Sequence, residues 1–198
     1  NKRHDGLPIM PLVIGVTATP QRFQKLVTDT TSTIQKVVVP PEEVRKSGLL
    51  KDRIIIHFPD IAIGADMTMF KEAVANWKKK CERWVAYCDR EEIKKPVCPI
   101  FVVQVEDGNE REITQTDLDS CIAVLEESLG RKLQAGEVVH TFDRHEIIKR
   151  HGLDIRKVDA SRIEEDENIK VVFFKMNLST GWDCPRAETM MSFRHASD

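Results

Sequence analysis

The segment from Asn168 to Arg194, NIKVVFFKMNLSTGWDCPRAETMMSFR, constrains the fold more than any other part of the chain. It opens on a run of β-branched and aromatic residues, Ile169 to Phe174, which reads as a buried strand. Asn177 to Pro185 then interrupts the run with Asn, Ser, Thr, Gly, Asp and Pro, and a second apolar run, Ala187 to Phe193, follows. A buried parallel strand that empties into a polar turn is where α/β proteins place their chemistry. Gly181 lets the backbone turn tightly and come close to a ligand. Asp183 can accept hydrogen bonds from a ribose hydroxyl or pair with a cation. Pro185 stops the segment from continuing as a helix. The same residue types also build an ordinary strand–turn–strand connection, so the turn by itself leaves both readings open.

The flanking sequence alternates between strand and helix patterns. Pro99 to Val105, PIFVVQV, reads as a strand buried on both faces. Thr116 to Leu129 reads as a helix capped by Thr116 and closed by Gly130, with Leu118, Ile122, Leu125 and Leu129 as its buried row. Glu137 to Thr141 reads as a short strand, and Asp143 to about His151 as a third helix closed by Gly152. This alternation predicts an α/β fold, a parallel sheet with helices on both faces. Before it, Asp66 to about Arg90 has apolar residues at steps of three and four from Met67 to Cys88, the pattern of a long amphipathic helix. Its Trp77 and Trp84 are expected in the core, with Lys78, Lys79 and Lys80 on the solvated side; the rival reading is that these tryptophans and lysines hold nucleic acid by stacking and charge. Further upstream, Leu12 to Val16, Ile34 to Val39 and Arg53 to Phe58 read as strands, and Glu42 to Leu50 as a short helix ending near Gly48.

Charge and cysteine content narrow the classes of function. A net charge of −2 supplies no global basic field, which leaves any nucleic-acid contact to a local lane. No apolar stretch is long enough to predict a membrane span, and the N-terminal residues lack the apolar core of a signal peptide. Five cysteines, with no CxxC pair, fit free thiols in a reducing cytoplasm better than disulfides or zinc. His145 and His151 have the wrong spacing for one helical face, so no metal site is expected there.

Three ordered strings carry a resemblance. LSTGWDCPRAETMMSFR (Leu178 to Arg194) resembles the fifth motif of superfamily 2 helicases, in the wording of the type III restriction enzyme Res subunit group. IGVTATP (Ile14 to Pro20) resembles the third motif of the same motors, and EEVRKSGLLKD (Glu42 to Asp52) the linker segment of Res-type proteins. The resemblance implies a division into the tail of a first RecA-like lobe (1–34), an inter-lobe linker with strands (35–65) and a second RecA-like lobe (66–198). It implies ATP and Mg²⁺ as cofactors of the complete motor, and DNA and a methyltransferase (Mod-type) subunit as partners, in the cytoplasm. Thr17, Ala18 and Thr19 would couple nucleotide state to the second lobe. Gly181 and Asp183 would complete the nucleotide site at the lobe interface, while Thr180 and Gln104 would face the nucleic-acid backbone.

Several parts of such a motor are not found. The chain has no GxxxxGK[ST] string to cradle phosphates and no acidic box for Mg²⁺. Arg194 lacks the QxxGRxxR surroundings of the sixth motif. The chain therefore reads as the middle of a DNA-dependent ATPase, with no hydrolysis expected from this stretch alone. The rival expectation is a non-catalytic α/β interaction module, in which the turn is structural and the tryptophan-bearing helix is a contact surface.

Overall fold

The computed structural model divides the chain into two units, Asn1–Ile56 and His57–Asp198. The structure describes residues 14–16, 35–48, 51, 53–57, 67–178 and 181–194. In the first unit, helix α1 (Pro41–Lys46) has proline in its first turn, where the missing N–H has no intrahelical partner to lose. Glu42 and Glu43 lie at its start and Arg45 and Lys46 at its end, matching the helix dipole, and Gly48 follows at φ 80°. Among the described residues, none of the strands predicted upstream of the long helix forms. Residues 14–16, 35–39 and 53–57 are irregular and exposed, with Val37 at 82% and Ile54 at 76%. β-Branching expresses a fit to a packed, pleated surface. Among its described residues this unit holds no strand to provide one.

The second unit holds a six-stranded sheet in the order β3-β4-β2-β5-β1-β6. Its strands are β1 (Ile100–Gln104), β2 (Val138–His140), β3 (Ile147–Arg150), β4 (Leu153–Lys157), β5 (Val171–Phe174) and β6 (Ala187–Ser192). All neighbours pair in parallel except β3, which pairs antiparallel with β4 at the edge. The central strands β1 and β5 are buried on both sides, as their continuous apolar runs require.

One face is covered by helices. Helix α2 (Met67–Arg90) buries Phe70, Val74, Trp77 and Cys88, and helix α3 (Leu118–Leu129) buries Leu118, Cys121, Ile122, Val124 and Leu125. They close over Phe101, Val103, Val171, Phe173 and Met191. Trp77 stacks on Phe101 with ring centroids 6.0 Å apart, and its indole N–H donates to the Pro99 carbonyl at 2.9 Å. Lys78 reaches across to the Ser128 carbonyl, tying α2 to the end of α3. The cap of α3 is Asp117, which accepts from the Ser120 amide at 3.0 Å; the predicted cap, Thr116, instead accepts from the Glu106 amide. Gly130 closes α3 in the left-handed region. No helix among the described residues is long and apolar enough to cross a membrane.

The predicted third helix is a hairpin. His151 and Gly152, at φ 49° and 77°, form a tight turn between β3 and β4. Two consecutive left-handed residues match the right-handed twist of paired strands and cannot continue a helix. Leu153 and Ile155 point inward while Asp154 and Arg156 point out, a strand alternation.

The second face has no α-helix among the described residues, which corrects the expectation of helices on both sides. Two irregular crossovers cover it. The β4-to-β5 connection passes over β2 with a short 3-10 helix, Ala160–Arg162, and buries Val158, Ile163 and Ile169. The β5-to-β6 connection passes over β1 and buries Leu178 and Cys184. Both pack on Ile100, Val102, Val172 and Phe174.

At the amino edge of the sheet Glu137 gathers Arg131 (2.7 and 2.8 Å), Lys170 (2.6 Å) and the Gln134 amide (2.9 Å) around a buried carboxylate. The Arg131 hydrogen bonds, aided by Lys170, hold its pKa at about 2, below the ordinary 4.5. A carboxylate whose folded value is depressed stabilises the fold above its ordinary value, and that contribution is lost as pH falls through about 2. Glu137→Gln is expected to cost about 2 kcal/mol in urea unfolding at neutral pH. It should also flatten the decline in stability between pH 4.5 and 2; an unchanged slope would remove Glu137 from the acid response.

Candidate functional site at the carboxyl edge of the sheet

Parallel strands bring all their carboxyl ends to one edge. The neighbours β1 and β5 send their following connections to opposite faces, the first through α3 and the second through residues 175–186. A crevice outside the strand ends at such a switch point is the usual ligand position in an open α/β sheet. Gln104 sits at this point. Its amide donates to the Lys175 carbonyl at 2.8 Å and accepts from the Ser192 hydroxyl at 2.8 Å, clipping together the ends of β5, β1 and β6.

The described residues of the 175–186 elbow are tied down at several points. Asn177 accepts from the Thr141 hydroxyl at 2.8 Å and donates to the Thr141 carbonyl. The Trp182 indole donates to Ala160 at 2.9 Å, and the Cys184 thiol donates to Glu164 at 2.9 Å. Burial and the Glu164 contact push the Cys184 pKa up to about 12, so the thiol stays protonated and inert. Arg186, 8% exposed, donates to the carbonyls of Cys98, Ile163, Glu164 and Asp166.

Between these ties lies an open cavity of about 460 Å³ lined by Asp159, Ser161, Asn177, Gly181, Trp182 and Asp183, with Ala160. Gly181 and Asp183 are thus brought together, both exposed, on the rim of a cavity at the carboxyl ends of β4 and β5. Asp159 also faces it, though its carboxylate is engaged by the Ser161 amide and hydroxyl at 2.9 and 2.7 Å. No lysine or arginine lines the cavity among the described residues. Thr17, Ala18, Thr19 and Thr180 lie outside the described residues. Among the described residues no three His, Cys, Asp or Glu side chains group closely enough to hold a metal ion.

Three residues here escape a reading of the sequence. Thr141 and Arg186 act through partners distant along the chain, and no local pattern marks them. His140, fully buried at the end of β2, accepts from the Phe142 amide through Nδ1 at 3.2 Å, which assigns its proton to Nε2. Burial, with Lys157 and His145 adding, pushes its pKa down to about 4, so it is neutral. No family model, no curated protein and no solved structure matches the chain.

Gly181 has φ 72°, and a Cβ built there meets no atom of the described residues within 4 Å. The cost of a side chain at this position is therefore backbone strain alone. Gly181→Ala is expected to lower stability by about 1–2 kcal/mol in urea unfolding. No loss would show that the elbow relaxes freely into another conformation.

Proposed function

We propose that the chain is part of an ATP-dependent DNA helicase or translocase of the type III restriction Res kind, contributing the second lobe. The observation that carries this reading is the position of the elbow. Gly181 and Asp183, whose stretch resembles the fifth motif, line a cavity outside the carboxyl ends of β4 and β5, in the connection that leaves β5. A mostly parallel sheet is the architecture such a lobe requires. The RecA-like assignment itself, ATP and Mg²⁺, DNA, the Mod-type subunit and a cytoplasmic setting belong to this proposal.

The described residues fit one part of a nucleotide better than another. Asp183 offers acceptors for hydroxyl groups. The cavity offers no cation for a phosphate chain among its described lining. In this reading the phosphates and Mg²⁺ are held by the opposing lobe, and the elbow supplies a rim that closes over the nucleotide. Thr180 and Gln104 would face the tracked strand, where backbone contacts position a motor without reading bases.

A second reading, a non-catalytic α/β interaction module, draws on the ties of the elbow. Asn177, Trp182, Cys184 and Arg186 all spend their polar atoms inside the fold, as a purely structural turn would. Calorimetric titration of the chain with a non-hydrolysable ATP analogue and Mg²⁺ tests the composite site. Weak binding that Asp183→Asn abolishes is the expected result. Submicromolar affinity would contradict an incomplete site, and binding indifferent to Asp183→Asn would favour the module.

A further inference from the structure

The outer flank of α2 carries a pattern that the elbow does not use. At 3.6 residues per turn, the side away from Phe70, Val74 and Trp77 presents Lys79, Arg83 and Arg90, with Tyr87 and the half-buried Lys80 along its edge. Glu82 and Asp89 project about 100° away, on the flank that holds Val85, while Glu72 lies on the same side as the cations, two turns before Lys79. Four cations and a tyrosine therefore share one strip of a chain whose net charge is −2. Glu188, which β6 brings to this side, has its carboxylate engaged by the Trp84 indole N–H, and its carbonyl accepts from Lys80. Glu91, just past the helix, pairs with Arg90 in an exposed contact that solvent screens.

The aromatic member of the strip is held in place. Trp84 meets Tyr87 edge to face at 5.7 Å, and the Arg90 guanidinium lies 5.4 Å over the tyrosine ring. Tyr87 remains 43% exposed. Lys79, Arg83, Tyr87 and Arg90 follow one another at roughly one-turn intervals, about 4.5–6 Å apart along the axis, with cations on both sides of the ring.

We infer that this flank of α2 docks a single-stranded nucleic acid, with Lys79, Arg83 and Arg90 on phosphates and Tyr87 stacked on a base. Cations interleaved with an aromatic ring match a strand that is charged along its backbone and flat in its bases. An acidic polypeptide offers the charge without the stacking partner. A membrane surface would need the exposed apolar side chain, Val85, among the cations, and it lies on the acidic flank. The inference does not rest on the nucleotide reading of the elbow.

Fluorescence anisotropy of a labelled twenty-nucleotide oligothymidine, titrated with the full chain, tests it. Three or four phosphate contacts predict a Kd that rises about 20- to 50-fold between 50 and 200 mM salt. Lys79→Glu combined with Arg83→Glu is expected to weaken binding at least ~10-fold, and Tyr87→Ala about tenfold. Lys79→Arg combined with Arg83→Lys should retain it. These side chains are exposed, so circular dichroism and melting temperature should stay unchanged and separate loss of binding from loss of fold. Absent binding by the wild-type chain, variants that bind as it does, or equal competition by polyglutamate would overturn the inference. So would a loss confined to Asp183→Asn, which would place the strand at the elbow.

Discussion

A single buried guanidinium holds the second face of this sheet together. Arg186 stands at the entry to β6 and donates to carbonyls before β1 and before β5, at 2.7 to 3.1 Å. Its Nε lies 3.6 Å from the Glu164 carboxylate. A buried cation is costly unless it is paired and hydrogen-bonded, and a loop buried without a helix or strand leaves carbonyls that need donors. The two costs offset each other here. The guanidinium satisfies irregular backbone that no regular element could satisfy, and that backbone supplies the acceptors a buried charge requires.

This exchange lets two crossovers replace the helices that usually cover such a face. The β4-to-β5 segment and the 175–186 elbow pack on the sheet and on each other through Trp182–Ala160, Cys184–Glu164 and Arg186. With its polar side chains committed inward, the elbow turns Gly181 and Asp183 outward at the carboxyl edge. The other face is conventional, an aromatic cluster of Phe70, Trp77, Phe101 and Phe193 under two helices. The elbow is thus tied to the unusual face, while the usual one holds the larger apolar cluster.

Residue patterns reveal much of this and miss the rest for physical reasons. The stripe of α2, the row of α3 and the apolar runs of β1 and β5 are legible because each element buries its own regular pattern. The β3–β4 hairpin was also legible in principle, since His151-Gly152 separates Ile147–Arg150 from the alternating Leu153–Lys157. A helical reading from Asp143 to about His151 passes over that turn. Val37 to Val39 and Ile54 to Ile56 have strand composition without a neighbouring strand, and pairing decides the state of such residues. At the candidate site Gly181 and Asp183 stand out as turn chemistry, but Thr141, Asn177 and Arg186 gain their roles only through contacts that the fold creates.

The joint behaviour of the two crossovers is the most direct test. Native-state hydrogen exchange of the wild-type chain and of Arg186→Ala, read segment by segment, would measure it. If the guanidinium binds both loops into one unit, residues 158–169 and 175–186 lose amide protection together in the variant, while α2 and α3 keep theirs. Loss in one loop alone, or unchanged protection in both, would show that the second face does not depend on Arg186.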